Sequence, residues 1–271
     1  MQKPQRYKLV LNWGLCAGIV MLASINLAAA ETQAKGLAVV TEYDRRDQGF
    51  IDSLVSMEMV LINARGQEST RYLRSKTLEV DRNGIGEKRL LIFDKPRDVK
   101  GTVLLTATRK KNSDDQWLYL PAVKRIKRIT SNNKTGPFVG SEFSYEDLGA
   151  FEIDKYTYNY LKNEPCGGGD CYVVERFPNE KDSGYTRQVI WIDAAEYRLW
   201  KVEFYDRKEE LLKVLEMSGY QLYKDQFWRP DVMVMRNVQT DKKTILNWLD
   251  YQFGVGINQN DFVANQLSKV R

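Results

Sequence analysis

The side chains with the chemistry to act on a substrate are few. Two adjacent carboxylate pairs, Asp114-Asp115 and Glu146-Asp147, could divide acid and base roles, yet adjacent acids in turns are most often solvated turn formers. The 271 residues include no histidine, which removes the commonest general base and metal ligand. Neither a G-x-S-x-G elbow nor a phosphate-binding glycine loop is visible. Cys166 and Cys171 flank Gly167-Gly168-Gly169-Asp170. A zinc site would need four ligands, and a redox motif would place two residues between the cysteines rather than four. The pair reads as a local disulfide, because glycines let so short a loop close, and the chain-entropy model gives it about 2 kcal/mol. No metal site and no cofactor is expected.

The elements that must position these groups are short strands. Turn chemistry at Arg65-Gly66, Asn83-Gly84, Lys95-Pro96, Ser113-Asp114-Asp115, Asn132-Asn133 and Asp182-Ser183-Gly184 separates runs at 54–63, 69–80, 87–94, 101–109, 115–120, 123–130, 152–162, 171–178, 187–193, 197–206, 210–223, 227–236 and 242–253. Successive strands with short turns make an antiparallel meander, and no segment between them is long enough for the helices of a doubly wound fold. Helical spacing occurs over 37–53, a turn or two is expected in 141–148, and Asn258 with Asp261 and Phe262 can cap a short helix to about Lys269. Met57, Met59 and Leu61 interleave with Val60 and Ile62, and Met233 and Met235 with Val232 and Val234, so both faces of these strands read as buried. A curved sheet with a covered core and a cavity wall satisfies that pattern, and so does a β-sandwich or a sheet covered by an oligomer partner.

The chain begins as an export signal: Lys3, Arg6 and Lys8 precede an apolar run to Ala28-Ala29-Ala30, whose small residues suit a signal peptidase. We expect residues 1–30 to be removed and residues 31–271 to form a single domain in the periplasm, starting at Glu31. An uncleaved anchor is the rival, since about 20 apolar residues can span a bilayer. Cys16 follows Leu15, where a lipidated cysteine would need a small neighbour, so the protein is not expected to be a lipoprotein itself. The removed segment takes three of the 41 basic groups and none of the 36 acidic ones, leaving a formal charge of +2. Near neutrality argues against nucleic acid as a partner.

Arg109, Lys110 and Lys111, with Lys124, Arg125, Lys127 and Arg128, flank an aromatic strand at Trp117 and Tyr119. Such a cluster fits anionic lipid headgroups or an acidic partner, and equally an edge strand whose lysines deter pairing, with Ile126 and Ile129 facing inward. The most distinctive stretch runs from Gly101 to Leu148. It contains Asp114-Asp115-Gln116-Trp117-Leu118-Tyr119-Leu120-Pro121, then Arg125 and Arg128, then Gly140-Ser141-Glu142-Phe143-Ser144-Tyr145-Glu146-Asp147-Leu148. This pattern resembles the outer membrane lipoprotein-sorting proteins of the LolA/LolB-like superfamily, in the branch found beside RND/MMPL-type exporters. Its motif residues fall here on Asp115, Trp117, Tyr119, Pro121, Arg125, Arg128, Gly140, Ser141, Phe143, Tyr145, Glu146 and Asp147. Val139 stands where methionine is usual and Glu142 where aspartate is.

The resemblance implies a mainly β fold, an incomplete, half-open antiparallel β-barrel with a few covering helices. It also implies a periplasmic carrier of lipid or acylated lipoprotein that hands its cargo to or from an envelope transporter. On such a sheet Met57, Met59, Leu105, Trp117, Met233 and Met235 are the expected lining of an apolar cavity, since unbranched thioethers repack around chains of different length. Trp117, Tyr119, Phe143 and Tyr145 suit a core as well as a cavity wall. A non-carrying accessory subunit docked on an RND/MMPL-type exporter is the alternative, and a hydrolase using Glu146 or Asp147 a more distant one.

Overall fold

The computed structural model describes residues 14–82, 84–167 and 169–270. Lys3, Arg6 and Lys8, the basic start of the expected export signal, lie outside the described residues, as does Gly168 between the two cysteines. Helix α1 (Gly14–Asp47) is followed by strands β1 (Asp52–Ile62), β2 (Glu68–Arg82), β3 (Ile85–Lys95), β4 (Val103–Arg109), β5 (Asp115–Leu120) and β6 (Arg125–Ile129). After a long connection come β7 (Tyr156–Cys166), β8 (Gly169–Pro178), β9 (Arg187–Asp193), β10 (Leu199–Tyr205), β11 (Leu211–Tyr223), β12 (Phe227–Asn237) and β13 (Lys242–Phe253). Among the described residues no helix is long and apolar enough to cross a membrane.

All thirteen strands form one sheet in the order β6-β5-β4-β3-β2-β1-β13-β12-β11-β10-β9-β8-β7. Two meanders, β1–β6 and β7–β13, are thus zipped together where the first strand meets the last, with Met57 opposite Trp248 and Met59 opposite Leu246. The sheet does not close: β6 and β7 are its two edges. Helix α1 covers the β7 edge. A Cβ on Gly36 would stand 2.8 Å from the Tyr160 backbone nitrogen, so only glycine lets the helix settle there, with Val39 and Val40 buried beneath. The connection 130–155 folds back over the concave face and plants Phe138, Phe143 and Leu148 in the main core, with the Phe138 ring 5.6 Å from Phe93.

The strands fall where alternation and turn residues place them, with differences at the ends of elements. Helix α1 stops at Asp47, and the C-terminal segment forms two short 3-10 helices, Gln259–Phe262 and Ala264–Lys269, the first capped by the Asn258 side chain. Residues 153–155 form a 3-10 turn, so β7 begins at Tyr156. Strand β6 is the expected edge strand, but Ile126 is 37% exposed while Ile129 is buried, because residues three apart on a strand take opposite faces. The outer residues Val60, Ile62, Val232 and Val234 are only half-buried, so the two-sided burial expected of β1 and β12 is incomplete. Cys166 and Cys171 are joined by the expected disulfide at the end of the β7–β8 hairpin.

Candidate functional site

The concave face holds a cavity of about 710 Å³, roofed by Tyr43, Asp44 and Asp47 of α1 and by Phe138, Phe143 and Tyr145 of the 130–155 connection. This lies within the roughly 300–1,000 Å³ typical of small-molecule sites. Its floor is set by register. Met217 faces Met233, Met233 faces Leu246, and Leu246 faces Met59, which lays one apolar row across β11, β12 and β13 and the sequence-distant β1. Met57 and Leu73 form the next row beside Trp248. Further along the same strands the inward residues become polar: Ser53, Ser75 and Thr77, then Glu79, Glu87 and Arg89. The cavity therefore has an apolar end and a polar end, the arrangement an amphiphile requires.

The polar groups are strained electrostatically by their burial. Glu152 has its carboxyl pushed up to about 7 by desolvation, against the pull of Lys155. Its carboxylate occupies the space a side chain on Gly86 would need. Asp44 is raised to about 6 by burial and by the neighbouring Asp47. Burial also raises Glu87, with Arg89 acting in the opposite sense at 2.8 Å. Trp248 lines the cavity and keeps an indole N–H that meets no acceptor among the described residues.

Of the six expected cavity residues, Met57, Met59 and Met233 line it. Met235 points the same way but is fully enclosed in the core beside the cavity. Leu105 and Trp117 are a correction. They leave β4 and β5 on the opposite face and pack with Leu90, Ile92 and Val103 under Phe262 and Leu267 of the C-terminal segment. Their neighbours Leu104 and Leu118 are the ones that face inward, because the period of two sends adjacent residues to opposite sides. Tyr119 shares the outer position with Trp117.

The remaining motif residues build the cover. Gln116 is buried and donates to the Tyr145 carbonyl at 2.8 Å and to Thr106 at 3.2 Å, fastening the second motif block to the first. Asp115 accepts from Arg109 and Arg128; burial opposes its charge, but these two arginines hold its carboxyl below the usual range. Pro121 opens a 3-10 turn, and Arg125 stands exposed at the start of β6. Gly140 adopts φ +78°, and buried Ser141 donates to the Phe143 carbonyl.

Asp147 accepts from Tyr185 at 2.7 Å, from the Ser144 amide at 2.7 Å and from Lys213, which is buried with it. Glu146 accepts from Ser183 and from the Gly184 amide at 2.9 Å, while burial raises its carboxyl. Every oxygen of both carboxylates is therefore occupied in tying the connection to the loop before β9 and, through Lys213, to β11. Arg71 donates to the Val139 carbonyl and extends the same fastening. Sequence reasoning missed Lys213, Tyr185 and Arg71, which carry no motif signal. It also missed Met217, which the argument used for the other methionines would have found. Among the described residues no cluster of cysteine, aspartate and glutamate could hold a metal ion.

Residues 86–269 match the model of a family whose description reads "-like: Uncharacterized protein". Among solved structures, an outer membrane lipoprotein-sorting protein domain from Vibrio parahaemolyticus is 53% identical over 87% of this chain and 99% of its own, with a TM-score of 0.84. A DUF1329 family protein from Desulfovibrio piger is 28% identical over 87% of this chain and 99% of its own, with a TM-score of 0.83. A LolA superfamily protein from Nitrosomonas europaea shares the fold at 16% identity and a TM-score of 0.66, over 83% of this chain and 96% of its own. No curated protein matches the chain.

Proposed function

Since the chain belongs to the outer membrane lipoprotein-sorting protein family, we propose that it is a periplasmic carrier that holds the acyl chains of a lipid or lipoprotein in its half-open barrel. The observation that supports this reading is the row Met217, Met233, Leu246 and Met59 across the floor of a 710 Å³ cavity that turns polar along the strands. Each methylene withdrawn from water contributes about 0.8 kcal/mol, and methionines follow chains of unlike length. The disulfide and the basic, apolar N-terminus accord with export; cleavage before Glu31 leaves Gly36, Val39 and Val40, the residues that seat α1, in the mature chain. An RND/MMPL-type transporter is the proposed source or recipient of the cargo.

Lipid extraction of the purified protein followed by mass spectrometry tests the reading. A carrier yields substoichiometric acyl lipid. A protein that is consistently empty yet co-purifies with an exporter is an accessory subunit, and turnover of esters makes it a hydrolase. N-terminal sequencing of exported protein should begin at Glu31, and a start at Met1 in a membrane fraction would identify an anchor.

A further inference from the structure

Among the described residues the most exposed large apolar side chain is Ile51, 66% accessible, between two buried neighbours, Phe50 and Asp52. Its backbone lies in the left-handed region at φ +68°. That region is a genuine outlier for a β-branched residue and is strained where glycine or asparagine would be less so. The strain is held in place from both sides. Glu79 accepts from the Gly49 amide at 2.9 Å and the Ile51 amide at 2.6 Å, and its own amide donates to the Ile51 carbonyl at 2.9 Å.

Phe50 anchors the turn inward against Phe227 and Phe253. Asp52 accepts from the amides of Val255, Gly256 and Ile257 at 2.7–3.1 Å, which fixes a second loop alongside with Val255 44% exposed. Gln48, Gly49, Phe50, Ser53 and Glu79 all line the cavity, so this tip stands on its rim.

We propose that Ile51, with Val255 beside it, is a rigid apolar tip that enters the lipid surface and brings the cavity rim to the bilayer. The proposal rests on the carrier reading for its purpose, not for its geometry. A specific protein interface buries roughly 800 Å² on each partner, which two side chains do not supply, whereas a bilayer needs only apolar groups that reach below the headgroups. A strained isoleucine pinned outward by Glu79 meets that need with no ordering on contact.

The test uses the whole mature protein, phosphatidylcholine vesicles and a fluorescent fatty acid. Ile51→Asn keeps a residue that tolerates the left-handed backbone and removes the apolar surface; Val255→Asn is added for the double variant. We expect the Ile51→Asn melting temperature to stay level or rise and its affinity for fatty acid in solution to be unchanged. Co-sedimentation with vesicles should fall about tenfold, the ratio expected for one lost apolar side chain, and transfer of loaded fatty acid to vesicles should slow alongside it. Undiminished co-sedimentation and transfer in the double variant would overturn the proposal. So would a wild-type protein that ignores vesicles, an outcome that leaves the tip to an apolar pocket on a protein partner. If the wild type takes up no fatty acid, the carrier reading fails by itself, and vesicle co-sedimentation still decides the tip.

Discussion

The two faces of the sheet use similar apolar residues to opposite ends. On the outer face, Leu90, Val103 and Leu105 meet Phe262 and Leu267, and all five are at most 3% exposed, closed over by the chain's own C-terminal segment. On the inner face, Met57, Met59, Met217 and Met233 line space that the chain leaves unfilled, beneath a cover held by hydrogen bonds and a buried ion pair. The outer face shows that this sheet can be sealed by a short segment. The open inner face is therefore a consequence of where the 130–155 connection stops, and the motif residues decide that by fixing the connection to β5, to β11 and to residues 183–185 in the loop before β9.

The largest expected effect comes from breaking the cover. Lys213→Met strands the Asp147 carboxylate in the core, and removing one partner of such a pair costs about 3–5 kcal/mol. Chemical denaturation should show this loss, and any folded remainder should have altered fatty-acid binding. A loss under about 1 kcal/mol, the range of exposed pairs, would mean that the pair does not hold the cover. Leu105→Ala tests the sealed face. It should cost about 2–5 kcal/mol through the cavity it leaves, while the folded fraction binds fatty acid as the wild type does. Impaired binding there would return Leu105 to the ligand site.

A finer comparison lies within β12. Met233→Gln should remain folded, losing about 1–2 kcal/mol, and should lose bound fluorescent fatty acid. Met235→Gln, two residues on and fully enclosed, should cost about 1–3 kcal/mol for its unpaired amide and leave binding intact in the folded protein. Equal behaviour of the two variants would erase the distinction between wall and core.

The smallest effect concerns pH. Glu152 has a folded value of about 7 against an ordinary 4.5, so the folded state holds its proton longer than the unfolded chain does. That difference favours folding below about pH 4.5 and is withdrawn as pH rises through 7. Glu152→Gln should therefore raise the melting temperature at pH 8 and leave it unchanged near pH 4. Among the described residues the other carboxyls raised by burial all line the same cavity, so a pH response of the same sign that survives this substitution points to Asp44, Glu87 or Glu146.

What the sequence by itself determined was everything that depends on near neighbours. Alternation, turn residues and caps placed all thirteen strands, the hairpin disulfide and the C-terminal turns, because strand and turn preferences are settled within a few residues. The motif of residues 101–148 pointed to the family, since its spacing is written along the chain. The tertiary structure alone decided which of two alternating sets faces the cavity. Leu104 and Leu105 are indistinguishable in composition, and only the position of the C-terminal segment makes one inner and the other outer. The methionine row depends on β1 pairing with β13, a contact between the two ends of the domain that no local pattern encodes. The role of Glu146 and Asp147 was equally hidden, because Tyr185, Gly184 and Lys213 reach them only after the sheet has curved. Local sequence chooses the elements; long-range register and burial choose what each side chain meets.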